Sequence, residues 1–242
     1  MNSAKHEADS YPCIIDLRAF AAQSREDSQE LEGHDFLADR RYVSLPDGPT
    51  ALGLIELAAG TGTVASMPND EFILVMDGEV QIRGIVAFSL KTGESAVLPK
   101  NAAFSWDTSA PATIAFMCQA SNETTAREPV KIDPTLPREA SPPLREGLVI
   151  GEMPKAFRHI DFESNDGLFA AAAWNANGYA RRPVTFDYFE LMHLLEGSVS
   201  FVDRRGADHV FSKDDIFVVR KGGEVNWVST VPVSKVAAIC RA

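Results

Sequence analysis

Two glutamates stand at matching places in two stretches that read alike. "EFILVMDGEVQI" runs from Glu71 to Ile82, and "ELMHLLEGSVSF" runs from Glu190 to Phe201. Each glutamate opens an apolar run that closes on an acidic residue, with Gly and Val next at the same places. Such runs bounded by glycine read as strands, whose side chains alternate between two faces. A carboxylate on the buried face must protonate or find a cation or donor, because an unpaired buried charge is costly. Lys235, Arg182 and Tyr188 are the candidate partners of Glu190, and a tryptophan indole N–H is another donor. The same carboxylate could act as a general base, with Lys235 stabilising developing charge. Glu190 and Lys235 are therefore the candidate catalytic pair. At the place equivalent to Lys235 the first stretch offers only Ile114, so a structural role is expected for Glu71.

The walls of a pocket can be read from the same alternation. Val225 and Trp227 share one face of their strand, and Trp174, Phe186 and Trp227 with Glu190 and Lys235 would enclose a small polar molecule between aromatic rings. Adding Arg182 and Tyr188 gives the full candidate ligand-binding set: Trp174, Arg182, Phe186, Tyr188, Glu190, Trp227 and Lys235. His193 lies an odd offset from Glu190, which puts it on the opposite face as a surface or interface histidine.

The elements that must position these residues occur twice. "GESAVLPKNAAFSW" (Gly93 to Trp106) matches "DDIFVVRKGGEVNW" (Asp214 to Trp227), and each Trp is followed five residues later by Pro, Pro111 and Pro232. The shared register indicates a tandem duplication. Residues 1–45 read as an arm or helical segment, 46–120 as the first β-rich domain, 121–154 as a proline-rich linker, and 155–242 as the second domain.

Composition narrows the function. A net charge of −11 opposes the phosphate contacts of nucleic-acid binding. No stretch has the apolar length of a membrane span or a signal peptide. Cys13, Cys118 and Cys240 lack C-x-x-C spacing and sit in apolar company, so buried free thiols and a reducing, cytoplasmic setting are expected. Outward apolar positions such as Leu191 and Leu195 suggest a homodimer.

The paired motifs resemble the cupin superfamily, whose first motif is G-x5-H-x-H-x3/4-E-x6-G. Glu71…Gly78 and Glu190…Gly197 meet its second half. The second motif, G-x5-P-x-G-x2-H-x3-N, is met in part by Gly93…Pro99-Lys100-Asn101 and by Asp214…Arg220-Lys221-Gly222. Trp174, "LLEGSV", Gly222 to Trp227 and "PVSK" ending in Lys235 resemble the ureidoglycine aminohydrolase cupin-domain group (DUF861, RmlC-like jelly roll).

The resemblance implies an all-β protein of two tandem jelly-roll barrels, a bicupin. It also locates the histidines of a cupin metal site. Those positions hold Val184 and Phe186 (or Pro183 and Thr185) with Val225 in the second copy. In the first they hold Ala65 and Met67 (or Val64 and Ser66) with Phe104. Without imidazoles a transition metal is held poorly, so no metal and no cofactor are expected. The expected function is a metal-free, non-catalytic bicupin that binds a small polar metabolite in its C-terminal barrel. The alternative is an aminohydrolase or isomerase using Glu190 and Lys235. Neither nucleic acid nor membrane is an expected partner.

Overall fold

The computed structural model describes residues 11–25 and 33–241. Apart from the helix Leu17–Arg25, regular structure there is almost entirely antiparallel β-sheet. His6 and residues 26–32 of the expected arm lie outside the described residues. The described residues divide into two compact units: 19–25 and 33–132 with 162–169, and 11–18 with 133–161 and 170–241. Each is a jelly-roll barrel.

In the first unit a sheet runs in the order Val130–Lys131, Ser95–Leu98, Asp70–Asp77, Ala112–Gln119, Thr50–Leu57 and Arg40–Tyr42. Its inner face shares a core with a sheet ordered Gly60–Val64, Phe104–Thr108, Glu79–Arg83 and Ala87–Lys91. Ile73, Val75, Ile114 and Phe116 from one sheet meet Val80, Ile82, Phe104 and Trp106 from the other. Phe72, Leu74, Ala115 and Met117, on the opposite face, are buried as well. Burial on both faces explains why these strands read as continuous apolar runs rather than alternating ones.

The second unit repeats the plan. One sheet is ordered Ile14–Asp16, Ile216–Val219, Phe189–Glu196, Val233–Cys240, Phe169–Ala176, Ala156–Glu163 and Glu139–Ala140. The other is ordered Val149–Ile150, Ala180–Thr185, Glu224–Val228, Ser198–Val202 and Asp208–Ser212. The copies keep register to the residue: Ile114 pairs with Val75, and Lys235 with Leu194. Both pairings are interrupted at the same place, between Thr113 and Ile114 and between Leu194 and Glu196.

The repeated Gly and Pro have a shared physical cause. Gly78 and Gly197 turn the chain after the glutamate strand at φ +88° and +79°. A Cβ at Gly78 would come 2.8 Å from the Pro111 carbonyl oxygen, and one at Gly197 would come 2.1 Å from that of Pro232. The turn needs left-handed backbone, and the proline carbonyl leaves no room for a side chain. Where the copies exchange glycine for another residue, the replacements are short polar ones that tolerate this conformation: Asn101 (φ +66°) stands for Gly222, and Asp214 (φ +72°) for Gly93.

The ends of the elements differ from the sequence reading. Strand Ile14–Asp16 pairs with Ile216–Val219, so the N-terminal segment completes the C-terminal barrel. Arg220, at the place of the motif proline, holds it there: its Nε donates to Pro12 O at 2.9 Å, and its backbone N donates to Cys13 O. The proline-rich stretch carries the short strands Val130–Lys131, Glu139–Ala140 and Val149–Ile150. Strands of two or three residues are too short to show alternation. Leu191 is fully buried within the single chain and Leu195 is half-buried, so Leu191 gives no basis for a homodimer surface. The three cysteines are buried and form no disulfide with one another.

Gly206 has the same backbone sign as Gly197 (φ +77°), but no atom lies within 4 Å of its hypothetical Cβ. Gly206→Ala should cost only the left-handed backbone term, about 1–2 kcal/mol. Gly197→Ala should cost at least about 1 kcal/mol more, because the backbone at Pro232 must also move. Urea denaturation of the two variants, compared with the parent, measures the difference.

Candidate functional site

In the C-terminal barrel the strand Phe189–Glu196 turns Glu190, Met192 and Leu194 inward, and Val233–Cys240 turns Lys235 and Ala237 toward them. Lys235 Nζ donates to Glu190 Oε1 at 2.7 Å and meets Met192 Sδ at 3.0 Å. Both charged side chains are buried. The ammonium also lies 5.0 Å from the centroid of Trp174 and 5.3 Å from that of Trp227, within cation–π range. Trp227 is edge-on to Trp174 at 6.0 Å and stacked on Tyr179 at 5.8 Å. Phe186 packs against Tyr188 at 5.2 Å. Trp174, Tyr179, Arg181 and Tyr188 are half-buried, whereas Phe186 and Trp227 lie deeper. The result is an ion pair at the base of an aromatic site whose rim reaches solvent.

Six of the seven expected ligand-binding residues come together here: Trp174, Phe186, Tyr188, Glu190, Trp227 and Lys235. Arg182 does not, because it is exposed. Strict alternation from the inward Val184 would turn Arg182 inward. The ladder to Glu224–Val228 shifts register between Arg181 and Val184, which reverses the parity, so Arg181 is the cross-strand partner of Trp227. Its guanidinium carbon lies 5.4 Å from the Phe186 ring centroid. Sequence reasoning therefore missed Arg181, along with Tyr179 and Met192. The parity of Met192 with Glu190 was the available signal for that residue.

The tyrosines are held in their protonated form. Burial pushes the Tyr179 hydroxyl up to about 12, partly offset by the Arg181 charge. The Glu190 charge, followed by burial, pushes Tyr188 up further. Three donor atoms in this region are buried without a hydrogen-bond partner: Nε and Nη2 of Arg181 and Nε1 of Trp227.

The positions from which a cupin holds metal are apolar. Val184 and Val225 face each other across the ladder, and Phe186 is buried beside Tyr188. The remaining carboxylate, Glu190, already has an ammonium at 2.7 Å. A transition metal needs converging imidazole, thiolate or carboxylate donors, and no group of three such residues occurs among the described residues. The donor set does not fit a cupin metal.

The first barrel answers the same carboxylate differently. Arg40 forms a two-pronged pair with Glu71, Nη1 to Oε2 at 2.6 Å and Nη2 to Oε1 at 2.9 Å. Its guanidinium carbon lies 4.6 Å from the Phe116 ring centroid. Burial is the largest influence on the Glu71 carboxyl and pushes it up, against the Arg40 charge and hydrogen bonds. The interior is filled: Phe36 packs edge-on against Phe104 at 5.5 Å and against Trp106 at 6.4 Å. Gly62 stands opposite Trp106 where Arg181 stands opposite Trp227, and a Cβ there would come 2.6 Å from the Trp106 Nε1. At the place equivalent to Lys235 stands Ile114, which supplies no cation for Glu71. The cation comes instead from the arm before the barrel.

His193 is on the face away from Glu190 as expected, but it is buried rather than at the surface. Burial, with a contribution from Arg18, pushes its imidazole down to about 4.

Residues 163–237 match the family model described as EutQ-like cupin domain. Among solved structures, a protein of unknown function of the DUF861 family from Pseudomonas syringae pv. tomato is 23% identical. The match covers 84% of this chain and 86% of that one, with a TM-score of 0.77. Ylba from E. coli, also DUF861, is 12% identical with 89% of each chain covered and a TM-score of 0.54. Salicylate 1,2-dioxygenase from Pseudaminobacter salicylatoxidans is 12% identical, covering 95% of this chain and 84% of its own, with a TM-score of 0.57. No curated protein matches the chain.

Two predictions follow from the buried charges. Glu71→Gln or Arg40→Met alone should destabilise the protein by about 3–5 kcal/mol, since each leaves a buried charge unpaired. Arg40→Met combined with Glu71→Leu should recover most of that loss, as a double-mutant cycle in urea would show. His193 is neutral when folded and titrates near 6.5 when unfolded. The unfolded chain therefore binds the extra proton first, and stability falls as pH drops from about 6.5 to about 4, by up to about 3 kcal/mol. His193→Gln should lose less stability between pH 7.5 and 4.5 than the parent does.

Proposed function

We propose that this cupin-superfamily protein binds a small polar metabolite in its C-terminal barrel, without a metal ion and without chemical turnover. The observation that carries the reading is the Glu190–Lys235 pair at 2.7 Å beneath half-exposed Trp174 and Tyr179. Fixed charges at the base of an aromatic pocket orient a small ligand, and the rings supply its apolar contact. To act as a general base, Glu190 would have to leave its ammonium partner, so the geometry favours binding over proton abstraction. The filled interior of the first barrel supports a role in packing for that unit.

A thermal-shift screen of small polar metabolites tests the proposal. A compound that raises the melting temperature should lose its effect in Glu190→Gln, Lys235→Met and Trp174→Ala. Trp174 is half-exposed, so its variant separates lost binding from lost folding. The paired Arg40→Met, Glu71→Leu change should leave the ligand-induced shift intact. Binding that survives all three C-terminal variants, or that disappears only with the first-barrel change, would overturn the assignment.

A further inference from the structure

Within the C-terminal site, two groups lack the acceptors that their burial demands. Arg181 Nε and Nη2 are on the same edge of the guanidinium, and both are buried without a hydrogen-bond partner. Trp227 Nε1 is likewise unpartnered in a side chain only 4% exposed. The two residues are cross-strand partners, which brings their side chains close on the same face of the sheet. Leaving a buried donor unsatisfied costs about 1–3 kcal/mol, and more for a charged one. A ligand that brings acceptors would remove that cost.

The form of the donors indicates the acceptor. The Nε–Nη2 edge offers two parallel N–H groups, a fork that matches the two oxygens of a planar oxyanion. Formal charges then select among oxyanions: Arg181 and Lys235 against Glu190 leave one net positive charge. The tyrosines stay protonated and add donors rather than charge. Asp187 and Arg241, which also act on Tyr188, are exposed and opposite in sign. One net charge suits a monoanion better than a phosphate dianion.

We propose that the ligand of the C-terminal barrel is a small monocarboxylate. Its carboxylate is held by the Nε–Nη2 edge of Arg181, and Trp227 Nε1 donates to a further acceptor of the same molecule. This rests on the binding role proposed above for the barrel. The inference is specific to the second copy, because Gly62 stands where Arg181 would be in the first.

The chain has three tryptophans, so the indole N–H region of a nitrogen–proton correlation spectrum is simple, and Trp227→Phe assigns the Trp227 signal. Benzoate and phenylacetate, titrated to tens of millimolar, should move that signal saturably. Benzamide and phenylacetamide should not, and inorganic phosphate should move it more weakly than the carboxylates. Arg181→Gln should weaken carboxylate binding about tenfold or more. Arg181→Lys, which keeps the charge but loses the fork, should fall between, and unchanged spectra elsewhere would confirm that both variants fold. Amides that bind as well as acids, phosphate that binds better, or an Arg181→Gln protein that binds acids normally would each overturn the carboxylate assignment while leaving a binding pocket in place. No response to any compound would overturn both the assignment and the binding role.

Discussion

A carboxylate buried at one fixed point of a β-barrel must be given a cation, and much of what distinguishes the two halves of this chain follows from that need. Glu71 and Glu190 occupy the same step of the same strand in register-matched sheets. The desolvation penalty is therefore similar in kind at both, and what differs is where the compensating charge comes from. In the second barrel it is Lys235, on the strand that pairs directly with the glutamate strand. In the first it is Arg40, from a short strand at the edge of the same sheet.

The choice of cation carries the rest of each interior with it. Arg40 grips both oxygens of Glu71 and lies over Phe116, with Phe36 from its own segment packed on Trp106. Both carboxylate oxygens are used, and the adjacent space is occupied by rings. Lys235 takes only one oxygen of Glu190 and directs its remaining contacts to sulfur and to aromatic faces. The opposed positions Gly62 and Arg181 complete the contrast. A glycine lets the indole of Trp106 close against backbone, whereas an arginine holds a polar edge beside Trp227.

Much of this was legible in the residues. The duplication, the two barrels and the inward Glu190, Trp227 and Lys235 follow from alternation along well-formed strands and from a register that recurs in both copies. The recurrence of Gly after the glutamate strand and of Pro after Trp was visible too, and its cause is steric: the proline carbonyl crosses where a Cβ would be. What was not legible depends on departures from regularity. Arg181, not the expected Arg182, lies opposite Trp227 because of a register shift between Arg181 and Val184 that no residue type announces. Arg40 was missed because its strand spans only Arg40–Tyr42, within a charged stretch that carries no periodic signal. His193 was assigned to the correct face, but a face turned away from a barrel interior need not be wet, and here it is buried.

The apolar residues at the positions where a cupin holds metal and the two buried glutamates belong to one physical account. Imidazoles beside a carboxylate can hold a divalent ion, and that ion neutralises the carboxylate while it is bound. With Val184, Phe186 and Val225 at those positions in one barrel and Ala65, Met67 and Phe104 in the other, the carboxylate would be stranded in a low-dielectric interior unless a permanent positive charge stood beside it. A lysine on the pairing strand and an arginine from an edge strand are two separate answers to that demand within one chain. The first leaves the barrel with an aromatic interior that reaches the rim. The second brings Phe36 onto Phe104 and Trp106 in the corresponding space, so the two copies keep one fold with differently packed interiors.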